Sequence, residues 1–291
     1  MTTALLEKQA LRGVEHVAQS QVAPVGTFTV RRALPFRDRH SVGPWVFLDH
    51  FGPFRVKPGE DGVGAHPHAG IETVTYLLSG RNEHRDSAGH TGVVAAGGAQ
   101  WMTAGRGIVH AERPLAESED ELTMHGIQLW TSLPRALKLM APRYQRIEAA
   151  AIPEVAGNGT LSRVIAGELG DVKGPASTLM PAFLWHVRLD PGAAFEAPLA
   201  SGHEAGVYVI EGEARVGGGT RVAMGQLAVL VGTEGALSIE NKSASALDVM
   251  VLGGAPAEGP LVFHGPFVMN SVEQVRAAEI AYRTGRMGHL E

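Results

Sequence analysis

The sequence predicts an all-β protein built as two antiparallel sandwiches or barrels in tandem, closed by a C-terminal helix. Three observations carry that expectation. Short apolar or alternating runs recur along the 291 residues, most of them bounded by Gly, Pro or Asp. The chain holds 37 glycines and 17 prolines, well above the roughly 12% of average usage, as many tight turns require. A repeat is also visible: the Glu72, Tyr76 and Gly80 of one run recur at identical offsets as Glu204, Tyr208 and Gly212.

Taken in order, the strand-like runs are 27–30, 45–48, 73–78, 126–130, 184–189, 207–210, 227–231 and 248–252. Helical signals are few. Pro134 at a first turn and Pro142 as a stop predict a short helix over 134–140, which also marks the expected junction between a first domain, 1–135, and a second, 136–291. Ser271 followed by Gln274 reads as a capping box, and Val272, Val275, Ala278 and Tyr282 give helical periodicity up to Gly285.

Composition removes whole classes of function. With no cysteine, there is no disulfide, no thiolate metal site and no cysteine nucleophile, so any metal sits on His, Asp or Glu. A net charge of −5 with no basic block argues against nucleic acid as a partner. No apolar stretch approaches the roughly 18 to 20 residues that span a bilayer. Residues 1–9 lack the basic and apolar regions of a secretion signal, so a cytoplasmic location is expected. Strings for nucleotide binding or serine acyl transfer are missing.

One constellation carries chemistry. In His66-Pro67-His68-Ala69-Gly70-Ile71-Glu72-Thr73-Val74-Thr75-Tyr76, strand alternation puts His66, His68, Glu72, Val74 and Tyr76 on one side. About 40 residues on, the same alternation places His110 and Glu112 on one face. If the two strands oppose each other across a barrel, three imidazoles and one of the two glutamates converge on a single ion. Such a set leaves two positions of an octahedral ion open to substrate or dioxygen, which suits Fe(II), Mn(II), Co(II) or Ni(II). Gln100, Trp101 and Met102 are candidates to line the pocket, with Trp101 and Met102 alternatively core residues, and Gln128 is a candidate pocket polar group. Asp86, between His84 and His90, is expected to cap a turn, and His50, His203 and His264 are expected to be structural.

The tract 66–80 resembles the first motif of the cupins, and the segment around His110 a looser second motif, with Gly105 and Pro114 in place of a proline and an asparagine. The pirin family is a closer match. Asp49-His50-Phe51-Gly52-Pro53, His84-Arg85-Asp86-Ser87-Ala88-Gly89, the string from Gln100 to His110, and Phe263-His264-Gly265-Pro266-Phe267-Val268-Met269-Asn270 all resemble it, and the likeness runs over nearly the full length. This implies two tandem cupin (double-stranded β-helix, jelly-roll) domains with one metal, in the first domain only. The ligands implied are His66, His68, His110 and Glu112, with Glu72 a strand residue or a partner that orients an imidazole. Fe(II) is the leading ion, with Mn, Co, Ni, Cu or Zn as alternatives. Ala69 and Ala111 stand where the family more often has an arginine and a serine; both have outward parity, so altered contacts at the pocket rim are expected. The resemblance implies quercetin 2,3-dioxygenase activity on a flavonol-like substrate with O2, Glu112 doubling as a base. It also implies an alternative, a non-catalytic metal-dependent regulator acting through protein partners, and neither reading involves a membrane or direct contact with nucleic acid. A cupin isomerase or storage protein is a weaker third reading. In the second copy the positions of His66 and His68 are Pro198 and Ala200, so no metal is expected there.

Overall fold

A computed structural model describes residues 10–37, 39–116 and 122–290. Residues 1–9, on which the expected lack of a secretion signal rests, lie outside that set.

The chain forms two sandwiches of the same design, each a seven-stranded antiparallel sheet against a four-stranded one. In the first half the large sheet runs Arg143–Ile147, Ala99–Thr103, Ile71–Ser79, Leu122–Ser132, Trp45–Val56, Phe28–Leu34, Gln21–Val25. The small sheet runs Val63–His68, Ile108–Pro114, Arg81–Asp86, Thr91–Ala95. In the second half Val14–Gln19, Gln226–Leu230, Glu204–Glu211, Leu247–Gly254, Ala182–Leu189, Thr160–Ala166 and Glu154–Gly157 form the large sheet. Six of the eight predicted runs fall within one of these strands, and the other two, 27–30 and 227–231, each overrun a strand by one residue, at Thr27 and Val231. The sheets exchange strands across the expected junction at 135. Val14–Gln19 pairs with Gln226–Leu230 of the second sheet, and Arg143–Ile147 pairs with Ala99–Thr103 of the first.

The three matched positions of the repeat do the same work in both halves. Tyr76 lies opposite Ile127, which lies opposite His50; Tyr208 lies opposite Met250, which lies opposite His186. Each tyrosine then reaches the histidine of the other half: Tyr208 Oη shares a hydrogen bond with His50 Nδ1 at 3.0 Å, and Tyr76 Oη with His186 Nδ1 at 3.1 Å. Glu72 and Glu204 are structural acceptors, the first taking Thr103 Oγ1 at 2.7 Å and Thr131 Oγ1 at 3.2 Å, the second the Gly43 N–H at 2.6 Å. Gly80 and Gly212 turn their strands at φ of 91° and 89°, which a side chain rarely tolerates. Around the crossed pairs one apolar cluster runs through both halves, from Trp45 and Trp101, edge to face at 5.9 Å, to Leu184, Met250 and Leu252. His50 is thus structural, as expected, and burial pushes its imidazole down to about 3, neutral at physiological pH.

Two helical expectations need correction. Over 134–140 there is a single 3-10 turn, Arg135–Leu137. Lys138, just past the turn, points inward, fully buried, and donates from Nζ to Gly70 O, Ser132 Oγ and Val268 O at 2.7 to 2.8 Å. The C-terminal helix spans Val272–Arg283 with Ser271 accepting from Gln274 N, but Gln274 Oε1 accepts from the N–H of Asn270, one residue ahead of the capping-box position. Its buried stripe is Val275 and Ala278 with Ala281 alongside, whereas Val272 and Tyr282, in the first and last turns, are exposed. Among the described residues no helix is long and apolar enough to cross a membrane.

Candidate metal centre

His66 and His110 are direct cross-strand neighbours, and His68 lies opposite Ile108. The two histidine segments therefore run side by side in the small sheet, not across a barrel as expected. Adjacent antiparallel strands bring paired side chains on one face within contact distance. Ring centroids are 4.3 Å apart for His66 and His110, and 5.0 Å apart for His68 with either partner. Among the described residues these three form the one group of three or more His, Cys, Asp or Glu able to hold a metal, their ligand atoms all within 4.8 Å of one another.

The donor chemistry suits a cation. His66 Nδ1 lies 2.7 Å from Gly64 O and His68 Nδ1 lies 3.2 Å from Pro266 O. A carbonyl only accepts, so each Nδ1 carries the proton and each Nε2 keeps a free lone pair. His110 is fully buried, and both its ring nitrogens lack a hydrogen-bond partner. An orphaned buried imidazole is costly, and a ligand for its lone pair removes that cost. Burial, reinforced by the neighbouring imidazoles, pushes His68 down to about 3 and His110 well below its ordinary value, so both are neutral donors.

Glu112 stands beside this group rather than inside it. Residues 110–114 pair with 86–82 in unbroken register, so alternation puts Glu112 on the His110 face, as expected, and the register slip beside it belongs to the neighbouring strand, between Val63 and His66. Glu112 Oε1 accepts from Gln100 Nε2, from Thr75 Oγ1 at 2.9 Å and from Asn82 Nδ2 at 3.4 Å. Thr75 Oγ1 also lies 2.6 Å from Gln128 Oε1, so one hydroxyl proton is shared between the two acceptors. Glu72 does not share the histidine face. Gly70, at φ of 77°, carries the chain from the small sheet to the large one and breaks the alternation. The Glu72 carboxylate is buried among Thr103, Thr131 and Arg143, orienting no imidazole, and desolvation pushes it up. Ala69 is not a rim residue either: it is fully buried in a cluster with Phe267 and Met269.

A cavity of about 750 Å³ opens on the three imidazoles and on Glu112. Its walls are largely apolar, with Phe28, Phe47, Phe51, Phe54 and Trp130 on one side, and its polar groups include Thr75, Asn82 and Gln128. Gln128, one of the candidates, thus faces the pocket. Gln100 reaches the site through Glu112, while Trp101 and Met102 belong to the core. Asp86 caps a turn, accepting from the N–H groups of Ala88 and His90, and also holds His84 Nε2 at 3.1 Å and His90 Nδ1 at 2.9 Å. His264 pairs with Glu279 on the C-terminal helix at 2.9 Å. The sequence reading missed the aromatic wall, the anchors Thr75 and Asn82, and the Pro266 carbonyl. Only the family string around Pro266 gave any signal.

Two family models match the chain, one described as Pirin over residues 27–131 and one as the Pirin C-terminal cupin domain over 184–288. A mouse protein named Pirin is 36% identical over 263 residues, covering 89% of this chain and 88% of its own length. A pirin-like protein of Caulobacter vibrioides is 37% identical over 246 residues, covering 84% and 87%. Among solved structures, one described as quercetin 2,3-dioxygenase from Acinetobacter baumannii superposes with a TM-score of 0.91 at 33% identity, over 97% of this chain and 100% of that one.

Proposed function

The chain belongs to the pirin family, and from that premise we propose that it is a metal-dependent dioxygenase opening the heterocyclic ring of flavonol-type substrates such as quercetin with O2. We assign the ligands to His66, His68, His110 and Glu112 of the first half, with Fe(II) as the leading ion and the second half metal-free. The observation that carries this reading is the open cavity over the three imidazoles: an enzyme needs such an apolar space, whereas a regulator acting through its surface does not. The likeness to a protein described as a quercetin 2,3-dioxygenase supports the same substrate class.

A bound divalent ion supplies a Lewis acid for the adjacent hydroxyl and carbonyl oxygens of a flavonol and a site for dioxygen chemistry. The chain's own groups do the rest. The aromatic wall takes the flat faces of the substrate and excludes water from the reacting end. Glu112 accepts the proton of the substrate hydroxyl, its carboxylate aimed by Thr75, Asn82 and Gln100. Neutral His68 and His110 keep their lone pairs throughout, since burial opposes their protonation. Iron-loaded protein given a flavonol is expected to take up oxygen faster than the same iron free in solution. No uptake above that background with Fe, Mn, Co, Ni or Cu would overturn the reading and leave the regulatory role.

A further inference from the structure

The cavity has a second polar end that the chemistry above does not use. Across the large sheet of the first half, Gln100 lies opposite Thr75, Thr75 opposite Gln128, Gln128 opposite Asp49, and Asp49 opposite Arg32. This is one polar row over five strands, with Glu112 anchored at its Gln100 and Thr75 end. Neighbouring strands lie about 4.8 Å apart, so Thr75 and Arg32, three strands apart, are separated by about 14 Å along the row. Thr75, Gln128, Asp49 and Arg32 all line the cavity. An aromatic wall runs beside them. The Arg32 guanidinium sits 4.6 Å over Phe47, Phe47 stacks on Trp130 at 4.1 Å, and Trp130 meets His68 at 4.9 Å.

At the distal end Arg32 Nε and Nη2 donate to Asp49 Oδ1 and Oδ2 at 2.9 and 2.8 Å. Arg32 Nη1 donates to no described residue, and about a third of the arginine side chain is exposed. The pair is neutral overall, so it gives an anion no net attraction. A hydroxyl suits it better, accepting from Nη1 and donating to the carboxylate, and two adjacent hydroxyls on a flat ring satisfy both groups together. Phe47 and Trp130 supply the surface on which such a ring stacks.

We propose that the Arg32–Asp49 pair is a distal subsite that recognises vicinal hydroxyls on the outer ring of a planar aromatic substrate whose reacting end lies at the histidines and Glu112. The assignment rests on the flavonol reading and adds what sets its selectivity.

The test titrates nickel-loaded, oxygen-free protein with two flavonols, quercetin, which has adjacent outer-ring hydroxyls, and galangin, whose outer ring is bare. Binding is read from quenching of tryptophan fluorescence. Quercetin is expected to bind at least about tenfold tighter, the factor one good hydrogen bond supplies. The double variant Arg32→Met/Asp49→Leu removes the pair without leaving a buried charge and is expected to bring the ratio within twofold. A wild-type ratio near one overturns the assignment even if the variant does not fold, and so does a ratio that survives in the folded variant. Failure of both flavonols to bind overturns the flavonol reading and this subsite with it.

Discussion

Replacing Glu112 by glutamine is expected to lower flavonol turnover at least about 100-fold while leaving most of the metal in place. The amide keeps an oxygen where Oε1 accepts from Thr75, Asn82 and Gln100, so the local geometry survives. What it loses is the negative charge and the ability to take a proton. A positioned base contributes roughly 100- to 10,000-fold. The three imidazoles do not depend on Glu112 for their convergence, so metal content is expected to fall only partly. Steady-state oxygen uptake and elemental analysis on one preparation separate the two effects. Turnover within threefold of wild type would show that Glu112 is not the base.

The second large effect falls on Gly70, two residues after His68. Its φ of 77° is strained for any residue with a side chain, and a Cβ there would lie 2.2 Å from Val268 O. Neither is easily relieved. The opposing oxygen belongs to the backbone of Phe267–Met269 and already accepts from buried Lys138 Nζ, which also holds Gly70 O. Gly70→Ala is therefore expected to cost about 3 kcal/mol or more, combining backbone strain with displacement of a packed strand. The shift in urea midpoint measures it. Because Pro266, on the same hairpin, holds His68 Nδ1, the variant is also expected to bind metal more weakly. A midpoint within experimental error of wild type would show that the hairpin is not seated as described.

Strand runs, the tandem repeat and the capped C-terminal helix were legible because each depends on local pattern, either alternation or a cap three residues from its partner. The three histidines were legible for the same reason, since a His-x-His pair and a later histidine on strands have few other ways to meet. What sequence could not supply was register and connection. Nothing local says that Val63–His68 and Ile108–Pro114 are neighbours rather than opposites, or that Gly70 breaks the parity joining Glu72 to His68. The cavity wall is less local still. Phe47 meets Trp130, and Arg32 meets Asp49, only once three separate strands have paired in one register. The Pro266 carbonyl reaches His68 from 198 residues away.

The central claim is that His66, His68 and His110, with Glu112 beside them, hold one metal ion. Elemental analysis of protein purified without oxygen, wild type against His68→Ala, tests it most directly. The account predicts about one transition-metal ion per chain in the wild type and almost none in a variant that remains folded by circular dichroism. Equal metal in both, or none in a wild type supplied with each of Fe, Mn, Co, Ni, Cu and Zn, would contradict it.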